Sequence, residues 1–472
     1  MDENDKKTEK SKICPQIIAG FIANLSFLAC GFAFAWTTPS LPKLENKSSD
    51  TFVTSDQGAW IVTGLPIGAC VGPILSGFLL DIIGRKWFLY LTGVPFVAGW
   101  VVTFIAQKWW HLLLARLIIG VSVGAIFAMG PIYLGEISEP RIRGANSAMS
   151  ALLLNLGFML VYAVGPILDR KMLALVCLAP TIVFLLTFLW MPESPYYCMK
   201  KKNEKAATMS LIWLRNKLDN TDELAVMSDH LQKTEDHERS FKELFTLRSN
   251  RKAMGILLLT LGAQQLSGLL AIQSYASFLL QKMHLPISSN LALVIIGLVC
   301  LVSGLASAFV VDRFGRKPLL GVSGYGVTLC LAAMGAYFYI ESKGIKVSNI
   351  SFVPLVAIVL YFVLFSIGLA SIPSILNSEI FPVNVKTWAT MLTNIYGSLL
   401  GLIVGKCYQL VVDAWGYHVI FFTFGVLVFI MTTAAVVVMP ETSRKSLEEI
   451  QECLKKTKED RTCEPEAECP EA

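Results

Sequence analysis

Charge is what this sequence has least of. Only 16% of its 472 residues are charged, against about 25% in a soluble domain, which is too little to cover a globular surface. The net charge of +5 is small for the length. No basic stripe interleaved with aromatics appears, so a nucleic-acid partner is not expected. The 11 cysteines include no Cys-x-x-Cys pair, which removes both a zinc site and a disulfide framework. No metal spacing, strand-to-helix nucleophile elbow or phosphate loop is found, so the expectation is no enzyme, no metal and no cofactor. The first apolar run starts near Ile13 and lacks a small-residue cleavage pattern. It reads as a retained membrane span, not a signal peptide.

What is abundant is apolar sequence, at 54%. A bilayer span needs roughly 20 apolar residues. Runs of that length are expected at 16–37, 57–80, 87–106, 111–135, 146–168, 171–191, 253–277, 289–311, 318–340, 352–378, 388–412 and 418–439. The fold class is therefore an all-α membrane protein of twelve helices. The expected units are a tail (1–15), six helices (16–191), a charged linker of short amphipathic helices (192–252), six more helices (253–439) and a second tail (440–472). Twelve spans put both ends on one side. Segments on that side hold 30 of the 40 Lys and Arg residues. Positive charge collects in the cytosol, so both termini are expected there, with the plasma membrane as location.

The chain repeats itself. Asp81-Ile-Ile-Gly-Arg-Lys86 returns as Asp312-Arg-Phe-Gly-Arg-Lys317. Glu136, followed by Arg141 and Arg143, returns as Glu379 followed by Lys386, and Pro192-Glu-Ser returns as Pro440-Glu-Thr. Three motifs in one order and register divide the chain into two six-span halves of the same orientation, a known transporter plan. Asp81, Arg85, Lys86, Glu136, Arg143, Asp312, Arg316, Glu379 and Lys386 are candidate gate charges. Carboxylate–guanidinium pairs among them could hold the cytosolic ends of the two halves together and break when the halves rock apart. The plainer alternative is topogenic charge with helix capping.

A polar pair marks the seventh span. Gln264 and Gln265 lie 11–12 residues into the run, about 16–18 Å deep. Side chains there must face protein or water. Two adjacent glutamines cannot both point at one partner helix, so solute contact is expected alongside helix–helix hydrogen bonding. Gly130-Pro131 and Ile372-Pro373 are expected to interrupt the fourth and tenth spans at equivalent places, and paired breaks point to a substrate path. Asn155 and Tyr275 are further binding candidates, with core packing as the alternative. Arg116 is the one charge well inside a span, either functional or snorkelling to the interface. Asn46-Lys-Ser48 and Asn349-Ile-Ser351 are glycosylation acceptors in loops placed outside.

The motifs resemble those of the sugar porter family of the major facilitator superfamily, and within it the insect trehalose-transporter-like members. The resemblance runs from about Phe32 to Ile450 and is carried by the duplicated motifs above, Arg116-x-x-x-Gly120, Pro131-Ile-Tyr133-Leu-Gly-Glu136 and Gln264-Gln265-Leu-Ser-Gly268. It implies a carbohydrate substrate, trehalose, glucose or a relative, moved by facilitated diffusion through alternating access, with Gln264 and Gln265 bonding sugar hydroxyls. Other implied sugar contacts are absent: Ala151, Leu270, Cys300, Ser374, Gly397 and Ser398 stand where the family places polar or aromatic partners. A different small organic solute, or a non-transporting sensor, stays open. Related proton-coupled porters carry an Asp in the first span; here that position is Thr37.

Overall fold

The computed structural model describes residues 12–47, 51–217, 219–235, 241–283, 285, 287–345, 352–442, 449, 450 and 453. Asn349, the side chain of Asp312 and most of both tails lie outside the described residues.

Among the described residues, twelve helices are long and apolar enough to cross a membrane. Spans 1 to 6 run over Cys14–Leu44, Ser55–Ile83, Arg85–Ile105, Trp109–Ile137, Pro140–Val164 and Arg170–Phe188. Spans 7 to 12 run over Arg248–Ser274, Ser289–Val311, Arg316–Ser342, Phe352–Asn377, Val385–Trp415 and Tyr417–Val438. The expected order is kept, but helices overrun the apolar stretches. Span 5 starts at Pro140 and not near 146, because proline is favoured in a first helical turn. Span 7 starts at Arg248, inside the stretch assigned to the linker. Helix geometry continues beyond the hydrocarbon, where charged residues are tolerated.

The linker forms helices Pro195–Lys200, Glu204–Arg215, Thr221–Glu235 and Phe241–Thr246. The second buries Ala207, Leu211 and Leu214, the i, i+4, i+7 spacing of an amphipathic face. Arg215 pins it down. This side chain is 2% exposed, bonds the Ile137 carbonyl at 3.0 Å and forks onto Glu223.

One expected break is corrected. Span 4 is helical through Gly130 and Pro131; the bond that Pro131 lacks does not unwind it. Span 10 does break, as expected near Pro373. Residues Phe365–Leu369 form a π-helix, and a new helix opens at Ile372 with proline in its first turn. The unforeseen break is in span 7. Helix Arg248–Leu266 stops, Gly268 takes φ +79°, and Leu269–Ser274 follows. A side chain is disfavoured at that φ, and a Cβ there would strike the Phe424 ring.

Arg116 does not snorkel. It is 3% exposed, donates to the Ala33 carbonyl at 2.6 Å and stacks over Trp36 at 5.7 Å. Asn46 is exposed, beyond the end of span 1 on the face opposite the chain ends. A glycan on it is the expected outcome, seen as an endoglycosidase-sensitive shift lost in Asn46→Gln. Labelling of the 192–252 linker from outside intact cells would overturn the topology behind it.

Candidate functional site

The two glutamines end the first segment of span 7, directly before its break, and diverge there. Gln264 Nε2 donates to the Ala370 carbonyl of span 10 at 3.2 Å. That carbonyl lies just past the π-helix. Gln265 faces span 11 instead. Its amide lies within 4 Å of where a Cβ would stand on Gly397 or Gly401. Both are half-buried. The divergence expected of adjacent glutamines is present, and one of the two is tied to a neighbouring helix.

Gly401 also adjoins Pro66 of span 2, so Gln265 stands where the two halves meet. Cys70 of span 2 reaches Ser398 of span 11 at the same level. Asn155 sits on this seam too. It is half-buried, bonds the Ala151 carbonyl of its own helix at 2.9 Å and abuts Gly304 of span 8.

Tyr275 is not part of this group. It is 2% exposed and stacks on Tyr408 with ring centroids 4.9 Å apart. Tyr275 directly follows Ser274, the last residue of span 7, and so packs toward the face opposite the chain ends. Polar contacts between the halves gather at that face. Thr38 donates to the Gln273 carbonyl at 2.6 Å, Gln409 to Ser55 at 2.6 Å, and Ser55 to Asp413 at 3.3 Å. Lys406 meets Asp56 at 2.5 Å and lies over the Trp60 ring at 4.5 Å.

At the other face the duplicated charges form two matching clusters. In the first half Arg85 pairs with Glu136 at 3.1 Å and Asp81 at 3.3 Å. Ser194 donates to Glu136, and Glu193 accepts the backbone N–H groups of Arg85 and Lys86 at 3.0 and 2.8 Å. In the second half Arg316 pairs with Glu379 at 3.0 Å, Thr442 donates to Glu379 at 3.1 Å, and Glu441 accepts the N–H groups of Arg316 and Lys317 at 2.9 and 3.0 Å. Gly84 and Gly315 precede these N–H groups at φ +100° and +79°. Only glycine takes such angles freely, and the turn aims the start of the next helix at the carboxylate. A helix N-terminus favours negative charge. Burial pushes the Glu193 carboxyl above the usual carboxylate range, opposed by the N–H groups of Lys86, Ser194 and Arg85 and by the Arg85 charge.

These ion pairs join residues of the same half, which corrects the expectation that they tie the halves together. The candidates that do meet across the halves are Arg143 and Lys386, whose charges act on each other and are alike.

The profile of the sugar (and other) transporter family matches residues 14–454. The chain belongs to that family. Among its relatives, the facilitated trehalose transporter Tret1 of Bombyx mori is 32% identical over 94% of this chain and 88% of the relative. The Tret1 of Drosophila virilis is 30% identical over 93% of this chain but 48% of the relative, and that of Aedes aegypti is 31% identical over 93% and 55%. The chain thus spans about half the length of several relatives. The fold is that of the major facilitator superfamily. It matches the Escherichia coli xylose transporter XylE, in a partially occluded inward-open conformation, with a TM-score of 0.77 at 20% identity, over 92% of this chain and 100% of the other.

Several placements in the structure were not legible as contacts in the sequence. Glu193 and Glu441 had a signal, since their motif is duplicated, but the motif served only as a repeat marker. Lys406 also had one, a basic residue toward the end of the apolar run 388–412. The Ser323 hydroxyl, which bridges the Leu364 carbonyl and the Leu369 N–H and so splints the π-helix, had none. Nor had the meeting of Cys70 with Ser398.

Proposed function

We propose that the chain is a facilitative transporter of a carbohydrate of the trehalose or glucose class, working by alternating access between its two halves. Its place is the plasma membrane, with both termini in the cytosol. The observation that carries this reading is the Gln265 amide, half-buried at mid-chain depth on the seam between the halves, beside two glycines that leave it room. A sugar hydroxyl stripped of water needs such a partner. Gln264 contributes from the same turn, and Asn155 stands on the seam nearby. On this reading the contacts around Lys406 and Asp413 are an outer gate, closed here. The two charged clusters brace the cytosolic end of each half.

The test is uptake of labelled trehalose, glucose and other small polar solutes in a transport-null cell. Saturable flux of a carbohydrate, with competition inside that class, supports the reading. Saturable flux of a non-sugar alone replaces it. A less hydroxylated solute is favoured by two observations. Leu270 packs within 4 Å of the Cβ positions of Gly401 and Gly405, and Cys300 is 4% exposed, so neither offers a hydrogen bond where the family resemblance implies one.

Transport is expected to be independent of a proton gradient. Coupling needs a titratable group inside the membrane. Span 1 contains no Asp or Glu, and Arg116 is held by a carbonyl and an indole ring. In proteoliposomes with equal solute on both sides, an imposed pH gradient should cause no net accumulation. Accumulation that a protonophore collapses would overturn this.

A further inference from the structure

The break in span 7 strands the last carbonyls of its first segment, since a helix end leaves its final C=O groups without partners in the helix. The Gln265 carbonyl accepts the Ser267 and Gly268 N–H groups, the latter at 3.2 Å. The Gln264 carbonyl accepts the Ser267 hydroxyl at 2.7 Å. The Ser267 carbonyl accepts the Tyr361 hydroxyl of span 10 at 3.3 Å. The two hydroxyl oxygens, of Tyr361 and Ser267, lie 3.1 Å apart. The Ser267 proton is committed to Gln264, so tyrosine is the donor in both of its contacts. Ser267 and Tyr361 are both fully buried, out of reach of water.

Span 10 thus holds the same turn of span 7 twice. Tyr361 holds it at Ser267, and the Ala370 carbonyl holds it through Gln264 Nε2 at 3.2 Å. Between these two holds lies the π-helix Phe365–Leu369. The Tyr361 ring stacks on Phe365, its first residue, with centroids 5.9 Å apart. That stacking needs only the ring; the hydroxyl serves Ser267. Gln264 and Ser267 stand at i and i+3, neighbours on one side of the helix. Gln265 is about 100° round the helix from Gln264 and faces the glycines of span 11. The turn that span 10 grips is therefore the one that presents Gln265.

We propose that Tyr361 is a positioning residue for solute recognition: its hydroxyl fixes the end of the first segment of span 7 in the place from which Gln265 faces the solute path. Being fully buried, it touches no solute itself. The inference deepens the reading of Gln265 as a solute contact and rests on it. Without the hydroxyl, the Ser267 carbonyl is buried with no partner, which is costly. The turn then shifts, and Gln265 meets the solute off its best angle. Recognition weakens as it does when Gln265 is truncated, but by less. Loss of a contact that serves binding and passage equally raises KM and leaves turnover alone.

The test is Tyr361→Phe, which keeps the ring and its stacking. Uptake of labelled trehalose or glucose, whichever the parent carries, should show KM raised about fivefold, with maximal flux per surface transporter within about twofold. In a Gln265→Ala background the same substitution should move KM by less than about twofold, because both residues act on one contact. An unchanged KM in Tyr361→Phe overturns the proposal even if thermal stability falls, since a brace alone would do that. A full effect that persists in Gln265→Ala also overturns it, by placing the influence of Tyr361 elsewhere. If Gln265→Ala leaves KM unchanged, the solute-contact reading fails and the positioning role fails with it. A raised KM in Gln265→Ala beside an unchanged one in Tyr361→Phe sinks the positioning role only. Hydrogen exchange needs no solute, and decides the matter where the parent carries neither sugar. Amides across 268–272 should exchange at least about threefold faster in Tyr361→Phe, and no change means that the hydroxyl does not hold the break. Where Tyr361→Phe fails to reach the surface, Ser267→Ala removes one of the two acceptors in its stead. A raised KM is expected there, and a flat one overturns the proposal.

Discussion

Replacing Gln265 by alanine is expected to cut solute flux at least about tenfold while surface expression survives. A hydrogen bond to a desolvated hydroxyl is worth about 1–3 kcal/mol when lost from one side, and about 1.4 kcal/mol is a factor of ten. Gln265 is half-buried and faces glycines of span 11, so truncation removes a solute contact without opening a packed core. Gln264→Ala should differ. It also frees the Ala370 carbonyl beside the π-helix, so it should lower thermal stability as well as flux. Steady-state uptake and a detergent melting curve on the same two variants separate the effects. Unchanged kinetics in both would return the pair to a purely structural role.

The second large effect is expected at Glu193. Its Oε1 accepts three backbone N–H groups, from Arg85, Lys86 and Ser194. Alanine would leave the start of span 3 without an acceptor in a place where water is scarce. Hydrogen bonds to a charged group contribute about 1.5–3 kcal/mol each, and they are not additive when shared by one carboxylate. A loss of about 2–4 kcal/mol is expected, seen as faster thermal inactivation and less protein at the surface. Glu193→Gln keeps an acceptor oxygen and should recover part of the loss. Glu441→Ala should have a similar effect in the second half, where Glu441 accepts the N–H groups of Arg316 and Lys317, one on each oxygen. If Glu193→Ala inactivates no faster than the parent, the carboxylate is not what anchors that helix.

Twelve membrane helices, their order and the two-half plan were determined by the sequence alone. The bilayer demands long apolar runs with all backbone bonds made internally, and duplicated motifs keep their register whatever the packing. Gly84 and Gly315 stand at the same place in both copies of the repeat, and both take a positive φ in the structure. Helix ends were not legible, because an α-helix propagates past the hydrocarbon wherever its backbone can bond. The break in span 7 falls at Gly268, whose φ of +79° and closeness to the Phe424 ring both disfavour a side chain. Pro131 shows that a helix breaker by itself does not decide whether a span is interrupted.

Within the candidate site, depth and polarity of Gln264 and Gln265 follow from spacing, but their division between span 10 and span 11 does not. Partners more than 100 residues away come together only through packing. That is also why the charged motifs could be named as a set while their pairing within each half could not. A carboxylate and a guanidinium attract across any interface, and only the tertiary arrangement decides which one they meet. The placement of Tyr361 against Ser267 is the same kind of fact, since nothing local to either residue reveals the other.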